Sequence, residues 1–114
     1  MQFFVTLTLN QTSESPADLQ SAMTEFVEHQ LQAGGFVMTG GLAPPVDGVR
    51  VDLSPGGILQ SDAGLPVHGF AVVEAISLAE AVDLASTMLR LHQDYLPDWS
   101  GTCEVRPVVT HCLP

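Results

Sequence analysis

Between Gln2 and Leu9 apolar and polar positions alternate, with Phe3, Val5, Leu7 and Leu9 on one side and Phe4, Thr6 and Thr8 on the other. A period of two is that of a half-buried strand, and the first set is expected to face the core. The period then changes. Leu19, Ala22, Met23, Phe26, Val27 and Ala33 recur at helical spacing behind Ser15-Pro16-Ala17-Asp18, which supplies an N-cap serine, a proline at the first helical position and an early acid. Gly34 is placed to end that helix in the left-handed conformation.

Shorter pieces follow. Phe36 to Leu42 reads as a second strand, closed by Pro44-Pro45, which cannot continue a ladder. Val49 to Leu53 and Ile58 to Ser61 flank Ser54-Pro55-Gly56-Gly57, where proline then glycine suits the two central positions of a type II turn, so a small hairpin is expected. Asp62 to Val67 reads as a loop, and His68 to Ala75 as the third main strand, with His68, Phe70, Val72 and Glu74 on one face. Ser77-Leu78-Ala79-Glu80 matches a capping box that opens a second helix ending near His92, with Leu78, Ala81, Val82, Ala85, Met88 and Leu89 as its buried stripe. Thr102 to Val109 is the last strand, and Glu104 and Arg106 point the same way along it.

This order predicts an α+β fold, a ferredoxin-like split βαβ sandwich with an inserted β-hairpin and two helices on one sheet face. Its first and third main strands are central and all neighbours antiparallel, so Thr8, Asn10, His68 and Glu104 gather at one end of the sheet. The face without helices carries Phe4, Phe70 and Val72, costly to leave in water at about 25 cal/mol per Å². That cost predicts a homodimer.

With 114 residues, 46% of them hydrophobic, the chain fits one domain over residues 1–114. The formal charge of −10, with no lysine and only Arg50, Arg90 and Arg106 as fixed cations, excludes nucleic acid and anionic membranes as partners. No apolar run reaches the roughly 18 residues of a membrane span, and no basic region precedes the first strand, so a cytoplasmic location is expected. Cys103 and Cys112 would sit about 30 Å apart on one extended segment and are read as free thiols. His92 with Asp94, and His111 with Cys112, lack the spaced four-ligand pattern of a zinc site, and no phosphate-cradling glycine run or nucleophile elbow is present. No metal or other cofactor is expected.

The remaining chemistry is concentrated in a few residues. His68 is the candidate acid–base and Asp62 its orienter, because imidazole titrates near neutrality and a carboxylate can fix its tautomer; structurally, Asp62 would cap a turn and His68 end a strand. Arg106, with Glu104, can grip a carboxylate or enolate through paired hydrogen bonds, or else form a structural ion pair with Glu74 or across a dimer interface. Thr8 and Phe70, on the same face, complete the candidate substrate-binding set. Tyr95 and Trp99 near the end of the second helix read as packing residues.

Several stretches in order, among them Phe26-Val27-Glu28-His29, Gly40-Gly41-Leu42-Ala43-Pro44-Pro45, Gly69-Phe70-Ala71-Val72-Val73-Glu74 and Glu104-Val105-Arg106-Pro107-Val108, resemble the YCII-related family in its DGPF branch. The resemblance runs over nearly the whole domain. It implies a dimeric α/β barrel, in which two sheets pack face to face around a pocket. It also implies a small lyase, isomerase or dehalogenase without organic cofactor, acting on a small organic acid or phenolic compound. A non-catalytic ligand-binding or regulatory module is the alternative, since members of the branch often occur alongside alternative sigma factors. Where the branch has its Asp-Gly-Pro-Phe segment, this chain has the shorter Asp62-Ala63-Gly64-Leu65-Pro66-Val67-His68, and only Asp62 carries over by position.

Overall fold

The computed structural model describes residues 1–9 and 16–109. The chain forms β1 (Gln2–Leu9), α1 (Ala17–Ala33), β2 (Phe36–Gly41), β3 (Val49–Ser54), β4 (Gly57–Asp62), β5 (Gly69–Glu74), α2 (Leu78–Tyr95) and β6 (Gly101–Pro107), with one 3-10 turn at Pro45–Asp47. Four strands make an antiparallel sheet in the order β2-β5-β1-β6, and β3 pairs only with β4. The fold is α+β and its topology is compatible with a ferredoxin-like sandwich. As the split βαβ order predicts, β1 and β5 are central.

The register divides the sheet into two faces. Phe3 lies opposite Val73, Val5 opposite Ala71 and Val105, and these side chains pack with Phe36, Ala81 and Ala85 under the helices. Phe3 and Val73 are each only 1% exposed. On the other face Phe4 lies between Val72 and Arg106, and Thr6 between Phe70 and Glu104. A register shift between Phe36 and Met38 bulges β2, leaving Val37 and Met38 exposed at the sheet edge.

Both helices start and stop for local reasons, with some departures from expectation. The Ser77 hydroxyl accepts from the Glu80 amide, capping α2. Gly34 ends α1 at φ 83°, where any side chain would be strained. Pro16 stands at the N-cap of α1 rather than at its first helical position, and the proposed serine cap, Ser15, lies outside the described residues. In α2 the buried line is Ala81, Ala85, Met88 and His92, with Leu84 beside it, while Leu78 and Val82 are exposed. The helix is turned so that its alanines, which allow a close approach, meet the sheet and the bulkier residues flank it.

The same helix runs on to Tyr95, past the end expected near His92. His92 Nδ1–H donates to the Met88 carbonyl at 2.8 Å, and its ring stacks on Trp99 at 4.6 Å. Trp99 is buried, and a Cβ at Gly101 would meet its ring at 2.3 Å. These contacts hold the end of α2 that sequence pattern left to fray.

The hairpin differs from the rest. Its positive φ lies at Gly57 (117°) and not at Gly56, so the turn is not type II; the register stays one-to-one up to Ser54 opposite Gly57, which leaves Pro55 and Gly56 as a two-residue loop. The Ser54 hydroxyl accepts from the Gly56 amide and steadies the bend. β4 reaches Asp62, which is thus the last residue of a strand and not the first of a loop. The substantial packing of β3 and β4 is with each other. The chain's radius of gyration is 16.2 Å, against about 13 Å for a compact domain of this length.

Candidate functional site

His68 immediately precedes β5 and is held by the backbone on three sides. Its amide donates to the Leu7 carbonyl at 2.7 Å, its carbonyl accepts from the Leu42 amide at 2.8 Å, and its Nδ1 accepts from the Leu9 amide at 3.0 Å. An amide can only donate, so the neutral ring must carry its proton on Nε2. This wiring decides what the residue can do. The ring can donate from Nε2, but to take up a proton it must use Nδ1 and give up the Leu9 bond.

Asp62 does not complete a dyad with this ring. It ends β4 opposite Val49, is exposed, and among the described residues makes neither a hydrogen bond nor an ion pair with His68. A carboxylate on Nε2–H would in any case leave no imidazole nitrogen for a substrate.

The other candidates are brought together on the open face. Thr6, Phe70 and Glu104 occupy one row across β5, β1 and β6, with Val72, Phe4 and Arg106 in the next. Thr8 lies one step further along, opposite Thr102. The Phe4 and Phe70 rings are 5.9 Å apart, and Phe70 lies over Gly40, where a Cβ would come within 3.1 Å of it. Glu74 is drawn away to the ammonium group of Met1, so the ion pair considered between Glu74 and Arg106 does not form. Among the described residues Arg106 makes no ion pair and is exposed, available to an anion. Thr6 was not among the candidates, although its alternation with Thr8 put it on the same side.

A second feature lies between the helices and the sheet. A cavity of about 270 Å³ is lined by Val5, Leu7, Met23, Val27 and Met88, with Thr39 and His68 as its polar side chains. Its cause is local: Gly41 faces Gly69 across the β2–β5 pair, so two strand positions send no side chain into the space. The volume lies just below the usual range of small-molecule sites, about 300–1,000 Å³. A wider cleft of about 770 Å³ runs between the base of the hairpin and the segments 42–48 and 63–67.

Cys103 faces the helices beside Leu7, and burial pushes its thiol up to about 11, so it is a poor nucleophile at neutral pH. Among the described residues no three His, Cys, Asp or Glu side chains form a group that could hold a metal ion. His111 and Cys112 lie outside the described residues, as does Asn10. No described helix is long and apolar enough to cross a membrane. No family model matches the chain, and no curated protein matches it either.

Proposed function

We infer that the protein is a homodimeric, ligand-binding domain of the YCII-related, dimeric α/β-barrel type, which holds a small organic acid or phenolic compound without transforming it. The observation that carries this reading is the Leu9 amide on His68 Nδ1. It makes His68 a fixed hydrogen-bond donor toward a carboxylate, phenolate or carbonyl oxygen, and removes the free lone pair that a general base needs. Arg106, without an ion pair among the described residues, supplies a cation, and Thr6, Thr8 and Phe70 supply hydroxyls and an aromatic surface on the same open face. Lyase, isomerase or dehalogenase chemistry through His68 and Asp62 would require the ring to leave Leu9 and the hairpin end to move toward it.

Charge placement supports the dimer. The helices carry Asp18, Glu25, Glu28, Glu80, Asp83 and Asp94 against Arg90, whereas the face turned away from them carries Glu74, Glu104 and Arg106, with Glu74 already paired. Two copies therefore meet with least repulsion through the sheet. The test is a thermal-shift screen of small aromatic and aliphatic acids, followed by recovery of each binder after long incubation. Binding that weakens in Arg106→Ala and His68→Ala, with the compound recovered unchanged, is the expected result. Turnover by the wild type that disappears in His68→Ala would replace this reading with the enzymatic one.

A further inference from the structure

Among the described residues, the β3–β4 hairpin presents apolar side chains that the rest of the chain leaves largely in solvent. Val49, Val51, Leu53 and Ile58 share one face by register, Leu59 lies on the other, and all five are between 59% and 78% exposed. A two-stranded hairpin is marginal in water by itself. The sheet of the same chain has a matching defect. Its β6 edge is guarded by Glu104, Arg106 and Pro107, but its β2 edge, Phe36–Gly41, has no charge and no proline, and it exposes Val37 and Met38.

We propose that the hairpin is an arm that lies along the β2 edge of a second copy of this chain, and that the two arms are exchanged about a two-fold axis. Each copy supplies one arm and one edge, so the contact is self-complementary and closes. The occupant is a second copy because both surfaces are nearly neutral in a chain of formal charge −10. β2 has no charged residue, and on the arm Arg50 is neutralised by Asp52 at 3.0 Å, leaving Asp62 at the base as the arm's one uncompensated charge among the described residues. A basic partner would find its complement on the acidic helices instead. Area points the same way. The four arm side chains of one face at roughly 100 Å² each, with Val37 and Met38 of the edge, come to roughly 600 Å² per partner, the lower end of specific interfaces.

The exchange has a consequence for the site. Thr39, Gly40 and Gly41 of β2 line the cavity that His68 also lines, so an arm laid on this edge supplies a wall to the partner's cavity. This extends the ligand-binding dimer proposed above and rests on it: the cavity beside His68, on the helix side of the sheet from Arg106, would be closed only by the other copy's arm.

Sedimentation velocity on the wild type, on Leu53→Asp/Ile58→Asp and on Val72→Asp tests the proposal. A wild-type dimer whose dissociation constant rises at least about 100-fold in the arm variant is expected. The arm variant should keep its circular dichroism, since among the described residues the arm's substantial packing is within itself. In a background lacking Cys103 and Cys112, separately tagged Leu53→Cys and Met38→Cys chains should form a mixed disulfide on oxidation. A dimer that survives the arm substitutions or gives no mixed disulfide, yet falls apart in Val72→Asp, overturns the arm and leaves the face-to-face dimer standing. A wild type that is monomeric at every concentration overturns both.

Discussion

The central sheet and the hairpin are built from the same residue types in the same alternating pattern, yet their fates are opposite. In β1 and β5, Phe3, Val5, Ala71 and Val73 are buried under two helices; in β3 and β4, Val49, Val51, Leu53 and Ile58 stand in solvent. Period two specifies a strand with an apolar side and says nothing of what will cover that side. In the sheet the cover comes from the same chain. Among the described residues the hairpin has no such cover, and the proposed arm contact rests on this contrast.

The contrast is broken most severely from the sheet side. Phe3→Ala removes a fully buried ring between the sheet and the helices and is expected to cost about 3–5 kcal/mol in denaturant unfolding. A loss below about 1 kcal/mol would mean that the helices do not seal this face. Gly101→Ala comes next. The Trp99 ring is stacked on His92 and cannot swing aside cheaply, so a methyl group placed 2.3 Å from it is expected to cost about 1–3 kcal/mol and to alter tryptophan fluorescence. Ser77→Ala, which leaves the Glu80 amide without its partner, should cost about 1 kcal/mol.

How much of this was legible in the sequence follows the same division. The order of the elements, the central pair of strands, the Ser77 cap and the left-handed Gly34 were readable because each depends on neighbouring residues or a strict period. The positive φ at Gly57 was not, since proline and glycine fit more than one turn and the flanking twist decides among them. The face of α2 was misjudged by Leu78 and Val82 because hydrophobicity marks a broad stripe, while close approach favours the alanines within it. For the site, Glu104, Arg106, Phe70 and Thr8 were correctly gathered on one side by parity alone. The Leu9 amide on His68 had no signal in the sequence, because a backbone donor from a strand end 59 residues away is set by register.

Cys103 sharpens the contrast through pH. Its thiol lies under α2 and is raised by burial from 9.0 to about 11, so the unfolded chain loses that proton first. The stability tied to the protonated thiol is present in full below pH 9 and declines as pH rises toward 11. In a Cys112→Ser chain, alkylation of Cys103 should keep accelerating beyond pH 9 instead of levelling off there. A plateau at pH 9 would place this side of β6 in water, like the hairpin.

The smallest expected effect on folding is the most telling for the hairpin. Leu53 is 78% exposed and touches no core, so Leu53→Ala should change the unfolding free energy of dilute, monomeric protein by no more than about 0.5 kcal/mol. Self-association of the same variant should weaken measurably, because the proposed contact buries this residue against a second copy. A side chain that counts for little in the subunit and for much in the pair distinguishes an interface arm from a loosely attached part of the core. Should Leu53→Ala instead cost the dilute monomer 2 kcal/mol or more, on the scale of a core leucine, the arm would have to fold back on its own subunit, and the two regions would no longer differ in kind.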